Sequence, residues 1–518
     1  MYLTQSLHRA VAAHPDTICT VYRGRRRSYA EVGQRVARFA GALRALALEP
    51  GDRVGMLSLN SDRYLEYYMG TYWAGFAVNP ANIRWSAAEI AHALDDCDTR
   101  VLIVDDHFLP VVAELRNHSH SLSTLIYAGE GETPHGMLSF EGMIADAEPV
   151  PDARRGGTDL AGVFYTGGTT GLAKGVMLSH GAMALNALCV LAEGILPAHA
   201  RALHCAPMFH LADVGFMNGV FAQGSTHVIL PAFTPEATLQ TIEDERISAV
   251  VLVPTMIQMM VDHPDVARRD LTSLKAVLYG ASPISEAVIE RATRALPNAE
   301  FSQGYGMTEL SAVATLLRPE HHQSEGLESG KARSAGRATF CAEVRIVDAN
   351  EQELPRGEIG EIAVLSATVM LGYWNQPEAT RAVLRGGWMY TGDAGYMDAE
   401  GFLFIVDRIK DMIVSGGENV YSAEVENVLQ QHPAIASCAV IGVPDEKWGE
   451  CVHAFVVLKP CAQASAATLQ AHCQKHIAAY KCPRGVEFVS ALPISGAGKI
   501  LKTALRAPYW EGRERQVG

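Results

Sequence analysis

The stretch Tyr165-Thr166-Gly167-Gly168-Thr169-Thr170-Gly171-Leu172-Ala173-Lys174-Gly175 packs four glycines, three threonines and one lysine into eleven residues. The apolar run Gly162–Tyr165 before it reads as a strand, and the run His180–Leu191 after it reads as a helix. Glycines let backbone N–H groups converge on an anion, threonine hydroxyls add donors and a lysine adds charge. Glycine and threonine alone would fit a flexible loop equally well, but a lysine at this spacing between strand and helix points to phosphate. The NTPase loop G-x-x-x-x-G-K-[ST] is not met. Counted from Gly168, its second glycine falls on Ala173 and its Ser/Thr on Gly175. No G-x-G-x-x-G follows the early strands. The nearest nucleophile-elbow candidate, Gly280-Ala281-Ser282-Pro283-Ile284, lacks its last glycine.

Outward from the loop, short apolar runs alternate with helical patterns. Strands are expected at Arg53–Leu59, Val101–Val104, Ala249–Val253, Ala276–Tyr279 and Glu300–Gln303, and a helix at Asp62–Gly75. A capping box, Ser86-Ala87-Ala88-Glu89, opens another helix. This alternation predicts an α/β fold of parallel or mixed sheets covered by helices, with ligands beyond the carboxyl ends of strands. Past residue 400 a charged cluster, Asp407-Arg408-Ile409-Lys410-Asp411, precedes a compact helix–strand–strand–helix pattern. A large N-terminal domain (1–409) and a small α+β domain (410–518) are expected, with the boundary at Lys410.

The 518 residues carry a net charge of −14 with no polybasic segment, which argues against nucleic acid as a partner. Arg25-Arg26-Arg27 reads as a solvated turn, and His321-His322 as loop polarity. Ten cysteines without a CxxC pair read as free thiols of a reducing compartment. Neither a signal peptide nor an integral membrane segment is recognisable, so a cytoplasmic location is expected.

Further motifs follow in order. Gln303-Gly304-Tyr305-Gly306-Met307-Thr308-Glu309 offers an aromatic face, glycines, a hydroxyl and a carboxylate suited to a nucleotide and Mg²⁺. Tyr390-Thr391-Gly392-Asp393 reads as a tight turn whose Asp could accept from ribose hydroxyls. Ser495-Gly496-Ala497-Gly498-Lys499 sets a lysine on a glycine-rich loop. With Asp407–Asp411 and Ser415-Gly416-Gly417-Glu418-Asn419-Val420-Tyr421, this set resembles the core motifs of the adenylate-forming superfamily over essentially the whole chain. That superfamily holds acyl-CoA synthetases, peptide-synthetase adenylation domains and firefly luciferase. Pro207-Met208-Phe209-His210 and Pro444–Glu450 resemble its acyl- and aryl-CoA ligase branch.

The resemblance implies a luciferase-like fold with a mobile C-terminal domain, and an ATP-dependent ligase that forms acyl-AMP and then an acyl-CoA thioester. ATP, Mg²⁺ and coenzyme A are the implied co-substrates and cofactor, and a homodimer is compatible with it. Lys499 would stabilise charge at the α-phosphate. Thr166, Glu309, Thr308 and Mg²⁺ would handle the β,γ-phosphates with Gly167, Gly168, Thr169, Thr170, Gly171 and Lys174. Asp393 and Arg408 would hold the ribose. Gly280, Ala281, Ser282 and Tyr305 would hold the adenine, with Gly304 and Gly306 also in the nucleotide site. Lys410 would be the hinge, bringing in Gly416 and Gly417, and Trp448 would line the pantetheine channel. His210, Gly280 and Gly304 would border an acyl pocket without charged residues. A medium- or long-chain fatty acid is the expected substrate; an aromatic acid or a carrier-protein acceptor is the alternative. The loop departs from the family at Gly167 (usually Ser) and Ala173 (usually Pro); the extra glycine costs roughly 0.5–1 kcal/mol. Smaller departures are Ser422, where Pro is common, and Ala497.

Overall fold

In the computed structural model, the residues described are 1–166, 173–282, 284–415, 418–445, 447–495 and 499–511, without the side chains of 324, 325 and 410. Their strands form four sheets, of nine, eight, five and five strands. The nine-stranded sheet runs parallel through Glu300–Tyr305, Ala276–Gly280, Ala249–Leu252, Arg201–His204, Thr226–Ile229 and Ile18–Tyr22. The eight-stranded sheet has Arg53–Leu57 and Val101–Val104 at its centre and the glycine-loop strand, Leu160–Thr166, nearer one edge. Strands such as Val101–Val104 are buried at every position, as a sheet covered on both faces requires.

Local signals set many boundaries. Ser86 and Glu89 form the expected reciprocal cap. The helix Asp62–Ala74 starts on the Ser61 side chain and stops at Gly75, which is left-handed at φ 93°. All ten cysteines are free.

Three sequence expectations are corrected and one strand is added. The strand before the loop and the helix after it stand where expected, at Leu160–Thr166 and His180–Ala192, the helix capped by Ser179, but a further strand, Lys174–Ser179, lies between them, antiparallel to Leu160–Thr166. The run Gly175–Leu178 was too short for its period to show, and the sheet recruited it as a partner. Arg25–Ser28 is a strand, not a solvated turn: Arg25 pairs with Asp62 at 2.8 Å, Arg26 with Glu245 at 2.7 Å, and Arg27 with Asp62. His322 is buried and shares a hydrogen bond with the Tyr279 hydroxyl at 2.8 Å. Asp393 lies inside the strand Trp388–Met397, not on a tight turn; the left-handed Gly392 (φ 71°) sits where that strand's register against Gly360–Ser366 shifts.

Beyond residue 410, Glu418–Val420, Ile413–Ser415, Gly449–Leu458 and Ile435–Asp445 form an antiparallel sheet, joined in parallel by Gly485–Phe488. Among the described residues no hydrophobic cluster mixes side chains from the two sides of Lys410. Nor is any described helix long and apolar enough to cross a membrane.

Candidate active site

The site forms where strand ends of the nine-stranded sheet meet the Leu160–Ser179 hairpin and the C-terminal segment. Gly280 and Gly304 face each other across adjacent parallel strands. A Cβ at Gly280 would lie 2.2 Å from the Gly304 carbonyl oxygen, so no larger residue fits there without moving a strand. The chain then turns through Gly306, where a Cβ would stand 2.0 Å from the Ala312 carbonyl oxygen. Next comes a single 3₁₀ turn, Thr308–Leu310, ending on Ser311 and Ala312, both at positive φ (59° and 112°). That non-glycine residues are held there shows how strongly the surroundings fix this turn.

The turn presents Glu309, whose side chain is buried. The Tyr373 hydroxyl donates to Glu309 Oε1 at 2.8 Å, and the Met370 N–H donates to its carbonyl at 2.8 Å. Lys174 Nζ lies 4.9 Å from the centre of the same Tyr373 ring. The short strand Gly372–Tyr373 pairs with Val176 and Met177, and the Trp374 N–H donates to the Gly175 carbonyl at 2.7 Å. Tyr373 thus ties the lysine end of the glycine loop to the carboxylate. At the loop's other end the Tyr165 hydroxyl donates to Asp96 at 2.6 Å, and Thr166 pairs with Lys174 across the hairpin.

Tyr305 is buried, and its hydroxyl donates to Asp393 Oδ2 at 2.8 Å. Arg408 Nε lies 3.2 Å from Asp393 Oδ1, its cross-strand neighbour. Asp393 is thereby oriented from two sides, and Arg408 keeps guanidinium donors for a further acceptor.

Lys499 arrives from the far end of the chain. Its N–H donates to Ser495 Oγ at 3.0 Å, its carbonyl accepts from Ser495 N at 2.6 Å, and Ile494 bridges to Ile500. Arg84 Nη1 donates to the Ser495 carbonyl at 2.9 Å, fastening this tip to the N-terminal part of the chain. Burial and the charge of Arg408 hold the Lys499 ammonium below the usual lysine range, against the pull of Asp393 and Glu309. His210 caps the helix Leu211–Gln223, its Nδ1 accepting from Ala212 N at 3.3 Å. Burial and the nearby Lys499 push its pKa down to about 4, so the ring is neutral with its proton on Nε2. Lys499, Arg408, Asp393, Glu309 and His210 therefore share one site.

Among the described residues no group of three or more His, Cys, Asp or Glu side chains is placed to hold a metal ion. One buried carboxylate, Glu309, beside a phosphate-type loop instead suits a Mg²⁺ that arrives on a nucleotide and keeps phosphate and water ligands. Gly167, Gly168, Thr169, Thr170 and Gly171, like Gly416 and Gly417, lie outside the described residues, as does the Lys410 side chain. Ala281 follows Gly280 at φ 68°, with Ser282 next. Trp448 sits apart in the C-terminal sheet region between Lys447 and Arg484, at 4.7 and 4.6 Å from its ring. Tyr373 and Arg84 escaped the sequence reading. The Gly-Tyr-Trp run at 372–374 was the only available signal for the first, and nothing marked the second.

The chain as a whole resembles known proteins. A family described as AMP-binding enzyme matches residues 7–374, and its C-terminal domain family matches residues 424–499. A feruloyl-CoA synthase from Amycolatopsis sp is 40% identical over 96% of each chain. A fatty acid–[acyl-carrier-protein] ligase, ScoC, from Streptomyces coeruleorubidus is 37% identical over 99% of this chain and 97% of its own. Among solved structures, the anthranilate CoA ligase AuaEII in complex with anthranoyl-AMP superposes with a TM-score of 0.89, at 28% identity, over 98% of this chain and 97% of that one.

Proposed function

The chain belongs to the AMP-binding enzyme family, in the acyl-CoA synthetase branch of the adenylate-forming superfamily, as an AMP-forming acid–thiol ligase; from that premise we propose that it activates a hydrophobic carboxylic acid and passes the acyl group to coenzyme A. A free carboxylate is a poor acylating agent because oxide would have to leave. In the first half-reaction a carboxylate oxygen attacks the α-phosphorus of ATP, the α–β phosphoanhydride bond breaks, and pyrophosphate departs. In the second, the CoA thiolate attacks the acyl carbon and AMP leaves.

The observation that carries the residue roles is the convergence of Lys499 on Arg408, Asp393, Glu309 and His210. The first step builds negative charge around the α-phosphate, and a preorganised ammonium in a dry site is worth most there. Lys499 takes that role. Lys174 and the loop Thr166–Gly171 clamp the leaving pyrophosphate. Mg²⁺ arriving on ATP would be held by Glu309, with Thr166, and would screen the β,γ-phosphates. Asp393 and Arg408 take the ribose hydroxyls; Gly280–Ser282 and Tyr305 take the adenine. The second step needs Lys499 withdrawn, which a rotation about Lys410 provides, bringing Gly416, Gly417 and Trp448 toward pantetheine. On this reading 1–409 and 410–518 are the two moving bodies.

Val313 beside Gly304 and Ala312 beside Gly306 are uncharged, which supports a hydrophobic tail. A pyrophosphate-release screen over fatty and aromatic acids, with and without CoA, tests the proposal. Acid-dependent release that becomes catalytic on adding CoA supports it. Release from no acid overturns it, and release that turns over with a carrier protein but not CoA would move the acceptor assignment.

A further inference from the structure

Two of the ten free thiols are hydrogen-bonded to each other. Cys189 lies on the helix His180–Ala192, and Cys341 immediately precedes the strand Ala342–Val347. The contacts around them hold this pairing in place. Glu193, about one helical turn beyond Cys189, accepts from the Phe340 N–H at 3.3 Å. Its other carboxylate oxygen accepts from Arg318 Nη2 at 2.6 Å. One face of the helix therefore meets Phe340 through Glu193 and Cys341 through Cys189. Thr339 Oγ1 stands 3.5 Å from Cys341 Sγ.

The two sulfurs are not alike. Cys189 is buried, and its hydrogen bond to Cys341 together with burial holds its thiol well above the usual range, so it keeps its proton and donates. Cys341 is partly exposed and lines an open surface groove of about 410 Å³ with Phe340, Glu343, Ser366 and Ala367. The hydrogen bond from Cys189, helped by Thr339 and Ser366, holds the Cys341 thiol below the usual range. A thiolate within reach of solvent, with a second thiol beside it, is the arrangement that reversible cysteine oxidation needs. Cys341 is also connected to the site. Ser366 Oγ donates to its carbonyl, and Thr368 Oγ1 donates to Ser366 Oγ at 2.8 Å. The Thr368 carbonyl accepts from Ser311 Oγ at 2.7 Å, and Ser311 closes the 3₁₀ turn that presents Glu309.

We propose that Cys189 and Cys341 form a redox pair that a hydroperoxide closes into an intrachain disulfide, and that closing it slows adenylation. The Cys341 thiolate attacks one peroxide oxygen. The O–O bond breaks, the sulfur becomes a sulfenic acid, and the departing oxygen takes a proton from solvent and leaves as water or an alcohol. The Cys189 sulfur then attacks the sulfenyl sulfur, the S–O bond breaks, and hydroxide leaves as water with the Cys189 proton. The two thiols together give up two electrons, and one peroxide is reduced. The S–S bond is shorter than the hydrogen bond it replaces, so closure draws the Cys341 segment toward the helix and pulls on the Ser366–Thr368–Ser311 chain. A dithiol reductant reopens the bond by exchange.

The test uses the full-length enzyme carrying Cys461→Ser, which removes the exposed thiol. The protein is treated with hydrogen peroxide, quenched by alkylation, mapped by peptide mass spectrometry and assayed for acid-dependent pyrophosphate release. A peptide linking Cys189 to Cys341 should appear, with a severalfold lower rate that dithiothreitol restores. Cys341→Ser should keep the untreated rate and lose both responses. Cys189→Ala should stop at a sulfenic acid on Cys341, trapped by dimedone, which tests the pair even if the Ser variant does not fold. No 189–341 link, a rate unchanged once the link has formed, or an equal loss of rate in Cys341→Ser overturns the proposal. The peptide map needs no substrate, so a failure of the ligase reading, seen as release from no acid with the reduced enzyme, is distinguished from a failure of the redox pair.

Discussion

On the proposed mechanism the first half-reaction turns on Lys499. Lys499→Ala should slow acyl-AMP formation by roughly 10²–10³, read as acid-dependent ATP–pyrophosphate exchange, while thioester formation from supplied acyl-AMP survives. Because burial and Arg408 depress its pKa, the ammonium is lost as pH rises through a value below the usual lysine range. The adenylation rate should therefore fall along an alkaline limb, and Lys499→Arg, which stays charged, should lose that limb in a pH–rate profile. Buried histidines set the acid side of stability. His180 and His322 both have pKa values pushed down to about 4 by burial. Between about pH 6.5 and 4 the unfolded chain binds the extra protons, so stability is full above 6.5 and is lost as pH falls. Each should cost about 1 kcal/mol between pH 7.5 and 5.5, seen as a lower denaturant midpoint. At this scale Glu309, Asp393 and Lys499 were legible because each sits in a dense motif. Tyr373 was not: its meaning lies in a contact with Glu309, 64 positions away.

At the scale of elements, the strands Val101–Val104 and Ala276–Gly280 and the capped helices were legible because burial on both faces and cap residues leave local marks. The strand Lys174–Ser179 was not, because its partner rather than its pattern made it a strand. Asp407, in the strand Leu403–Arg408, caps the C-terminal helix Ser422–Gln430: Ser422 Oγ donates to it at 2.6 Å, and the Ser422 N–H donates as well. A proline at 422 has no such N–H. The proposed rotation about Lys410 would break this contact. Ser422→Ala removes the hydroxyl's bond to Asp407, worth about 1 kcal/mol, along with the bond Lys502 donates to it within the C-terminal part. It should therefore shift the partition severalfold toward the thioester-forming step in single-turnover experiments. Lys410→Pro should spare adenylation and abolish thioester formation; equal loss of both would contradict the hinge.

For the whole molecule, the α/β class followed from alternation; the division proposed near Lys410 rests on the change of texture, and among the described residues the hydrophobic clusters lie on one side of it or the other. How the two parts meet was not legible, since the Arg84–Ser495 contact joins residues 411 positions apart. Arg84→Ala should slow adenylation severalfold without changing thioester formation from acyl-AMP, because it loosens only the arrangement that seats Lys499. The most direct test of the central claim is a rapid-quench single turnover in the absence of CoA, followed by a CoA chase. The account predicts close to one equivalent of enzyme-bound acyl-AMP with matching pyrophosphate, then quantitative conversion to acyl-CoA and AMP on the chase. ATP consumed without an acyl-AMP intermediate, or an acyl-AMP that CoA fails to discharge, would contradict it.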